Sequence, residues 1–254
     1  MTKDLEGKIQ QSKKFLLNVY DTMDNLWNAN SGGKDSLVVY TLIKELGLPI
    51  KSFHNNTTID PKGTMQFIRQ NMSDTIINQP KETFYQLVER KGLPTRLNRF
   101  CCEILKESTG KGINTIEGVR AAESRARSTR EPITCDTRKS MKNSKHIYPI
   151  LYWSDKDIWN FIHDRNLQVA PCYEYFDRLG CVGCPLVNSN KRIYEFSHHP
   201  KILKNIEKAI GKGMNNNPQW ELTQYSNNNA ELAIEWWLTG LTMQQFFTQY
   251  KLEF

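Results

Sequence analysis

Ser31-Gly32-Gly33-Lys34-Asp35-Ser36 lies between a four-residue apolar-edged run, Leu26-Trp27-Asn28-Ala29, and a longer apolar run at 37–43 that stops at Gly47. The first run has the length of a strand, and the second reads as a buried helix with a glycine terminator. The succession is strand, tight glycine loop, helix. The glycines permit the tight turn, the backbone N–H groups converge, and the helix N-terminus adds the positive end of its dipole, so the loop suits a phosphate chain. Ser31 and Ser36 offer hydroxyl groups, Lys34 a point charge, and Asp35 a carboxylate suited to the Mg²⁺ that accompanies a triphosphate. The spacing is neither the Gly-x4-Gly-Lys-Ser/Thr run of kinases and GTPases nor the Gly-x-Gly-x-x-Gly fingerprint of dinucleotide folds. The plain alternative is a polar glycine turn.

The flanking segments set the fold class. Leu5, Ile9, Phe15, Leu16, Val19 and Tyr20 recur at roughly helical spacing, which predicts an amphipathic opening helix. Residues 50–54 and 75–77 read as strands, with Asp60-Pro61 as the cap and first turn of a helix carrying Met65, Phe67 and Ile68. Residues 115–119 form the next strand candidate, and Ser154 caps a helix through Ile158, Trp159 and Phe161. Such alternation predicts an α/β, doubly wound parallel sheet with ligands outside the carboxyl ends of its strands. Residues 128–144, rich in Thr, Arg, Lys, Ser and Asn, have no period and read as an exposed loop available to order on a ligand. After Pro185 the pattern is mainly helical, broken at 215–218 and 227–229, with a last helix from Ala230 to about Thr239. The linear division expected is an N-terminal helix at 1–24, a nucleotide-binding α/β domain at 25–185, and a helical C-terminal region at 186–254.

No run reaches the length of a membrane span and no signal-peptide pattern opens the chain, so a soluble cytoplasmic protein is expected. The net charge of +7 is compatible with a polyanionic partner, a nucleotide or a nucleic acid, and equally with a solvated surface of modest positive excess. Six cysteines in such a compartment point to metal or redox chemistry rather than structural disulfides. Four of them fall in two close pairs, Cys101-Cys102 and Cys181-Val182-Gly183-Cys184. Four thiolates can ligate zinc or a 4Fe-4S cluster, or form a redox disulfide. Cys135 and Cys172 have no paired neighbour and read as buried structural cysteines.

Gly118-Val119-Arg120 with Ser124 and Arg127 follows the strand at 115–119, where such a sheet presents its ligand. Arg120 and Arg127 are each suited to clamp a phosphate or sulfate bidentately; the dull alternative is a charged helix start.

Taken in order, the loop at 31–36, the double cysteine in Arg99-Phe100-Cys101-Cys102-Glu103, the Arg120, Ser124 and Arg127 segment, and Gly180-Cys181-Val182-Gly183-Cys184-Pro185 resemble the PAPS/APS reductase-like family of the adenine nucleotide alpha hydrolase (PP-loop) superfamily. The resemblance implies ATP or an adenylyl sulfate on residues 31–36 with Ser124, a catalytic role for Lys34, Asp35, Arg120 and Arg127, and a 4Fe-4S cluster on Cys101, Cys102, Cys181 and Cys184. It also implies that Lys106 lies close to that cluster and favours its negative charge.

Two departures redirect the expected chemistry. The reductases carry a nucleophilic cysteine in a Glu-Cys-Gly-Leu-His tail, and here no cysteine follows Cys184. Asn56-Thr57-Thr58-Ile59-Asp60-Pro61 also differs from their Asp-Thr-Gly loop. The pattern looks more like the ATP pyrophosphatase proteins of DNA phosphorothioation, the Dnd and Ssp type. That likeness implies ATP with Mg²⁺, α–β phosphate cleavage, adenylation of an acceptor, a cysteine desulfurase or other sulfur donor as partner, and DNA or a DNA-binding subunit as a further one. A homo-oligomer is compatible with it. A reductase of adenylyl sulfate or its 3'-phosphorylated form, and a non-catalytic nucleotide and cluster sensor, are the alternatives.

Overall fold

The computed structural model describes residues 3–107, 112–136 and 144–252. Packing divides the chain into two compact units that interleave along the sequence. The first comprises Met1–Asn55, Lys62–Gln79 and Ser108–Leu179, and the second Asn56–Pro61, Pro80–Glu107 and Gly180–Phe254. The linear segments 1–24, 25–185 and 186–254 therefore do not coincide with the units: the phosphate loop falls in the first, and all four paired cysteines fall in the second.

The first unit is built on six strands: β1 (Leu26–Ala29), β2 (Lys51–Asn55), β3 (Thr75–Asn78), β4 (Asn114–Glu117), β5 (Ile133–Cys135) and β6 (Lys145–Ile147). Their order is β3-β2-β1-β4-β6-β5, every pairing being parallel except β5 with β6. β1 thus sits inside the sheet, between β2 and β4, and its carboxyl end delivers the chain directly to the glycine loop. Its helices are α1 (Lys3–Thr22), α2 (Lys34–Glu45), α3 (Thr64–Asn71), the single turn α5 (Arg125–Ser128) and α6 (Asp155–Asp164).

The opening helix forms because Leu5, Ile9, Ser12, Leu16 and Val19 fall three or four residues apart and all are buried. Leu5, Ile9, Leu16 and Val19 join Val38, Val39, Leu42 and Ile43 of α2, Ile116 and Ile147 of the sheet, and Ile158 and Phe161 of α6 in one core. Each such side chain contributes about 1.5–3 kcal/mol when fully buried. A smaller core gathers Leu37, Phe67, Ile68, Met72, Cys172 and Phe176.

Three expectations fail here for local reasons. The helix expected from Asp60-Pro61 begins only at Thr64, because Gly63 takes φ of 90° and breaks the path, while the Asp60 carboxylate accepts from Thr57 N at 3.1 Å. The supposed loop at 128–144 contains β5, the antiparallel edge strand; its remaining expectation at 137–143 lies outside the described residues. Cys135 ends that edge strand and is exposed rather than buried, whereas Cys172 is buried as expected.

The second unit is helical: α4 (Phe84–Lys91), α7 (Ser189–His198), α8 (Pro200–Asn216), α9 (Glu221–Tyr225), α10 (Ala230–Thr239) and α11 (Met243–Leu252), with a π-helical turn at Cys102–Lys106. α4 carries a capping box between Thr83 and Gln86. Helix α11, beyond the expected last helix, brings Phe247 onto a core that includes Phe84, Leu87, Ile206, Ile210, Trp236 and Trp237.

Candidate functional sites: a phosphate loop and a cysteine cavity

Asn30 anchors the loop at its entry. Its N–H donates to Phe53 O at 2.8 Å, its carbonyl lies 2.8 Å from His54 Nδ1, and its side-chain oxygen accepts from Gly32 N at 3.0 Å. Gly32 then turns the chain with φ of 77°. Ser31 Oγ accepts from Gly33 N at 3.3 Å and pairs with Ser36 Oγ at 3.2 Å, while Ser36 Oγ donates to Gly33 O at 2.9 Å. Helix α2 opens at Lys34 with Gly33 as its cap residue and no side-chain cap within the segment. Tyr173 fills that place from a distant turn, its hydroxyl accepting from Lys34 N at 2.7 Å. Burial pushes the Tyr173 phenol well above its usual range. Gly118, at the end of β4, lies against the first turn of α2 so closely that an added Cβ would sit 2.6 Å from Asp35 C.

Charges converge beside the loop. Lys34 Nζ lies 3.2 Å from Asp35 Oδ2 and 3.3 Å from Asp155 Oδ1. Arg120 reaches the same two acids, at 2.5 Å through Nε and 2.9 Å through Nη2, and its Nη1 donates to Trp153 O. Lys34 and Arg120 are 5% and 3% exposed, so this closed arrangement of two cations and two carboxylates is what makes their burial tolerable. Burial would by itself raise the Asp155 pKa, but Lys34 and then Arg120 hold it below the usual carboxylate value.

Of the residues expected at this site, Ser31, Gly32, Gly33, Lys34, Asp35, Ser36 and Arg120 come together. Arg120 does not stand free as a phosphate clamp; it locks Asp35 to Asp155. Arg127 pairs instead with Glu123, whose carboxylate also accepts from Arg120 N, and Ser124 is exposed and makes no capping bond. Asn30, Asp155 and Tyr173 escape sequence reading. Asp155 follows the Ser154 cap, where an acid is ordinary for a helix start, and nothing in Cys172-Tyr173 marks a hydroxyl destined for α2.

In the second unit, Cys101, Cys102, Cys181 and Cys184 line one small cavity with Thr57, Lys106 and Gly183. The π-helical turn places Lys106 after Cys102 as the sequence suggests. The field of Cys181 raises the Lys106 pKa, and burial raises that of Cys181. The hydrogen bond from Cys101 to Cys102 raises the Cys101 pKa and lowers that of Cys102. Cys181 Sγ lies 3.5 Å from Thr57 Oγ1, and Val182 N donates to Ile59 O at 2.9 Å. Gly183 has φ of 73°, donates to the buried Glu195 carboxylate at 2.9 Å, and leaves no room for a Cβ, which would fall 2.0 Å from Phe196 Cζ. The four thiols thus suit a cluster by identity and by the cavity they share. Among the described residues, no three His, Cys, Asp or Glu side chains are grouped so as to hold a metal ion.

A mostly parallel sheet that delivers a glycine loop to a helix N-terminus, with cations and acids converging there, defines an α/β protein of the phosphate-loop kind. Residues 25–187 match the phosphoadenosine phosphosulfate reductase domain family, and the chain belongs to that family. It is 28% identical over 229 residues to uncharacterized protein MJ0066 of Methanocaldococcus jannaschii, a match covering 83% of this chain and 47% of that protein. Uncharacterized protein MJ0973 of the same organism is 30% identical over 167 residues, 61% of this chain and 40% of that protein. The chain therefore spans less than half the length of these two relatives. An adenosine 5'-phosphosulfate reductase of Bacillus cereus is 25% identical over 172 residues, 62% of this chain and 72% of the enzyme. Among solved structures, the phosphoadenylyl-sulfate reductase of Candida auris aligns with a TM-score of 0.54 at 15% identity, covering 71% of this chain and 96% of that one. The FMN adenylyltransferase of Candida glabrata aligns at 0.51 and 19% identity, covering 71% and 62%. These two show the shared fold. No helix among the described residues is long and apolar enough to cross a membrane.

Proposed function

We propose that the chain is an ATP pyrophosphatase that adenylates an acceptor for sulfur insertion. The observation that carries this reading is the second acid at the loop: Asp155 stands with Asp35 around the Lys34 and Arg120 cations. Two carboxylates repel a bare sulfate or phosphate dianion, but they suit a triphosphate that arrives with Mg²⁺. Asp35 and Asp155 are the residues that would hold that ion, which supplies charge neutralisation between the phosphates.

ATP then lays its phosphates on residues 31–36, taking over N–H groups now engaged by Asn30, Ser31 and Tyr173. An acceptor oxygen attacks the α-phosphorus in line, the bond to the bridging oxygen breaks, and pyrophosphate leaves. Lys34 and the α2 N-terminus stabilise the charge that builds on the leaving group. The adenylated acceptor is open to displacement of AMP by a sulfur nucleophile. Cys101, Cys102, Cys181 and Cys184 are the residues that would hold a 4Fe-4S cluster, which supplies redox or sulfur-relay chemistry when bound. We favour a nucleic-acid backbone phosphate as acceptor and a cysteine desulfurase as sulfur source. The net charge of +7 and the 56–61 loop, which resembles phosphorothioation proteins, support that choice.

A second reading, reduction of an adenylyl sulfate, is favoured by the Bacillus cereus relative named above. Anaerobic purification followed by parallel assays of pyrophosphate from ATP, with and without DNA, and of sulfite from each adenylyl sulfate separates the two. Pyrophosphate release that needs Mg²⁺ and falls about 10²–10³-fold in Lys34→Ala is the expected result. Sulfite release would replace the proposal with the reductase, and ATP binding without turnover would replace it with a sensor.

A further inference from the structure

Beside the Cys-x-x-Cys turn, the second unit holds two neighbouring guanidinium groups that make no ion pair with a carboxylate among the described residues. Arg192 on α7 is 2% exposed; it donates to Trp237 O and to Pro185 O, and stacks over the Trp237 ring at 5.2 Å. Its Nε is buried and has no hydrogen-bond partner. Arg96, on the exposed loop before the double cysteine, donates to the same Pro185 O at 3.2 Å and reaches toward Leu186 O and Val187 O. Neither forms an ion pair among the described residues. Burial lowers the Arg192 pKa and Arg96 lowers it further, while the fields of Cys184 and Glu195 offset this only in part. The Glu195 carboxylate is itself committed to Gly183 N, and burial raises its pKa toward the neutral form.

A buried cation without a counter-charge is costly, and the exposed Arg96 adds a second positive charge beside Arg192. Both line an open cleft of about 200 Å³ whose walls are mostly apolar: Pro94, Leu97, Trp236 and Leu241 stand around them. Leu97 is fully exposed and Leu241 is 38% exposed at its mouth.

We propose that this cleft binds a carboxylate carried on a compact apolar body, its oxygens bridging Arg96 and Arg192 and its hydrocarbon lying against Trp236, Leu97 and Leu241. A monoanion fits better than a phosphate dianion, because the apolar walls make each further charge more expensive to desolvate. The volume suits a branched aliphatic acid or the C-terminal residue of a peptide. The proposal is independent of the chemistry at the phosphate loop.

The test uses the full chain and tryptophan fluorescence, with calorimetry alongside. The probes are 4-methylpentanoate, inorganic phosphate, acetyl-Gly-Gly-Leu and the same peptide as its C-terminal amide. Saturable binding of 4-methylpentanoate, tighter than phosphate and weakened about tenfold or more in Arg96→Met, is the expected result. Arg96 is exposed, so that variant keeps its fold; Arg192→Gln, with far-UV circular dichroism as control, gives a second reading. The free acid peptide binding more tightly than 4-methylpentanoate, with the amide inert, assigns the natural source to a peptide terminus. Equal binding of both acids assigns it to a small metabolite acid. No saturation by any carboxylate, phosphate binding as tightly as 4-methylpentanoate, or unchanged binding in a folded Arg96→Met would each overturn the proposal.

Discussion

Around the phosphate loop two cations face two carboxylates, and the N–H groups of Gly32, Gly33 and Lys34 already have oxygens of the protein itself as partners. Around the cysteine cavity four thiols share a single ammonium, and the backbone is held open by a glycine that tolerates no side chain. The first site is complete without a ligand, so binding there is an exchange in which phosphate oxygens replace Asn30, Ser31 and Tyr173. The second is a shaped cavity lined by thiols, so a group bound there adds thiol contacts to a backbone that is already set. Substitutions should accordingly alter selectivity at the loop and integrity at the cavity.

The largest effect is expected from Gly183→Ala. The new Cβ meets Phe196 and demands an unfavourable positive φ, so the second unit should lose about 3 kcal/mol or more, read as a lowered denaturation midpoint together with faster thiol labelling of Cys181 and Cys184. An unchanged midpoint would show that the cavity is as self-sufficient as the loop.

Asp155→Asn should come next. Removing one of two acids leaves Lys34 and Arg120 sharing Asp35, so Mg²⁺-dependent pyrophosphate release should fall by about tenfold to a hundredfold, while binding of metal-free phosphate should tighten. Loss of both together would mean that Asp155 only supports the fold.

Tyr173→Phe removes the oxygen that competes for Lys34 N–H, and ATP should bind several-fold more tightly, since such a bond is worth about 1 kcal/mol. Weaker binding, measured by calorimetry, would make the hydroxyl a ligand to phosphate instead.

The smallest effect concerns His146, flanked by Glu117 at 2.6 Å and Asp136 at 3.0 Å. The Glu117 hydrogen bond, more than the Asp136 one, raises its pKa above 6.5. A raised folded-state value means that its stabilisation is full below about pH 6.5 and fades as the pH rises through the folded value. In His146→Gln, the stability difference from the parent chain should therefore be larger at pH 6 than at pH 9.

Much of the loop region was legible because its signals are local. Glycine freedom, helical spacing in α1 and the length of 26–29 act within a few residues, and they place β1, the turn and α2 correctly. The Cys-x-x-Cys and double-cysteine pairs were legible as pairs for the same reason. What escaped reading depends on partners distant in sequence. Asp155 and Tyr173 reach Lys34 from 121 and 139 positions away, and neither carries a local mark of that role. Arg120 read as an anion clamp because the two acids that engage it were invisible from its own segment. Cys135 read as buried because an unpaired cysteine usually is, yet an edge strand turns it outward.

The sequence by itself determined the chemistry available: a glycine loop with one lysine and one acid, four thiols in two pairs, and an alternation that favours a parallel sheet. Only the tertiary structure decided how that chemistry is balanced. It allotted the loop and the cysteines to different compact units, gave Lys34 and Arg120 a second acid, and left Arg96 and Arg192 without an ion pair among the described residues. The physical reason is that composition and spacing record which charges a chain carries, whereas compensation depends on distances of three or four ångströms between segments that only folding brings together.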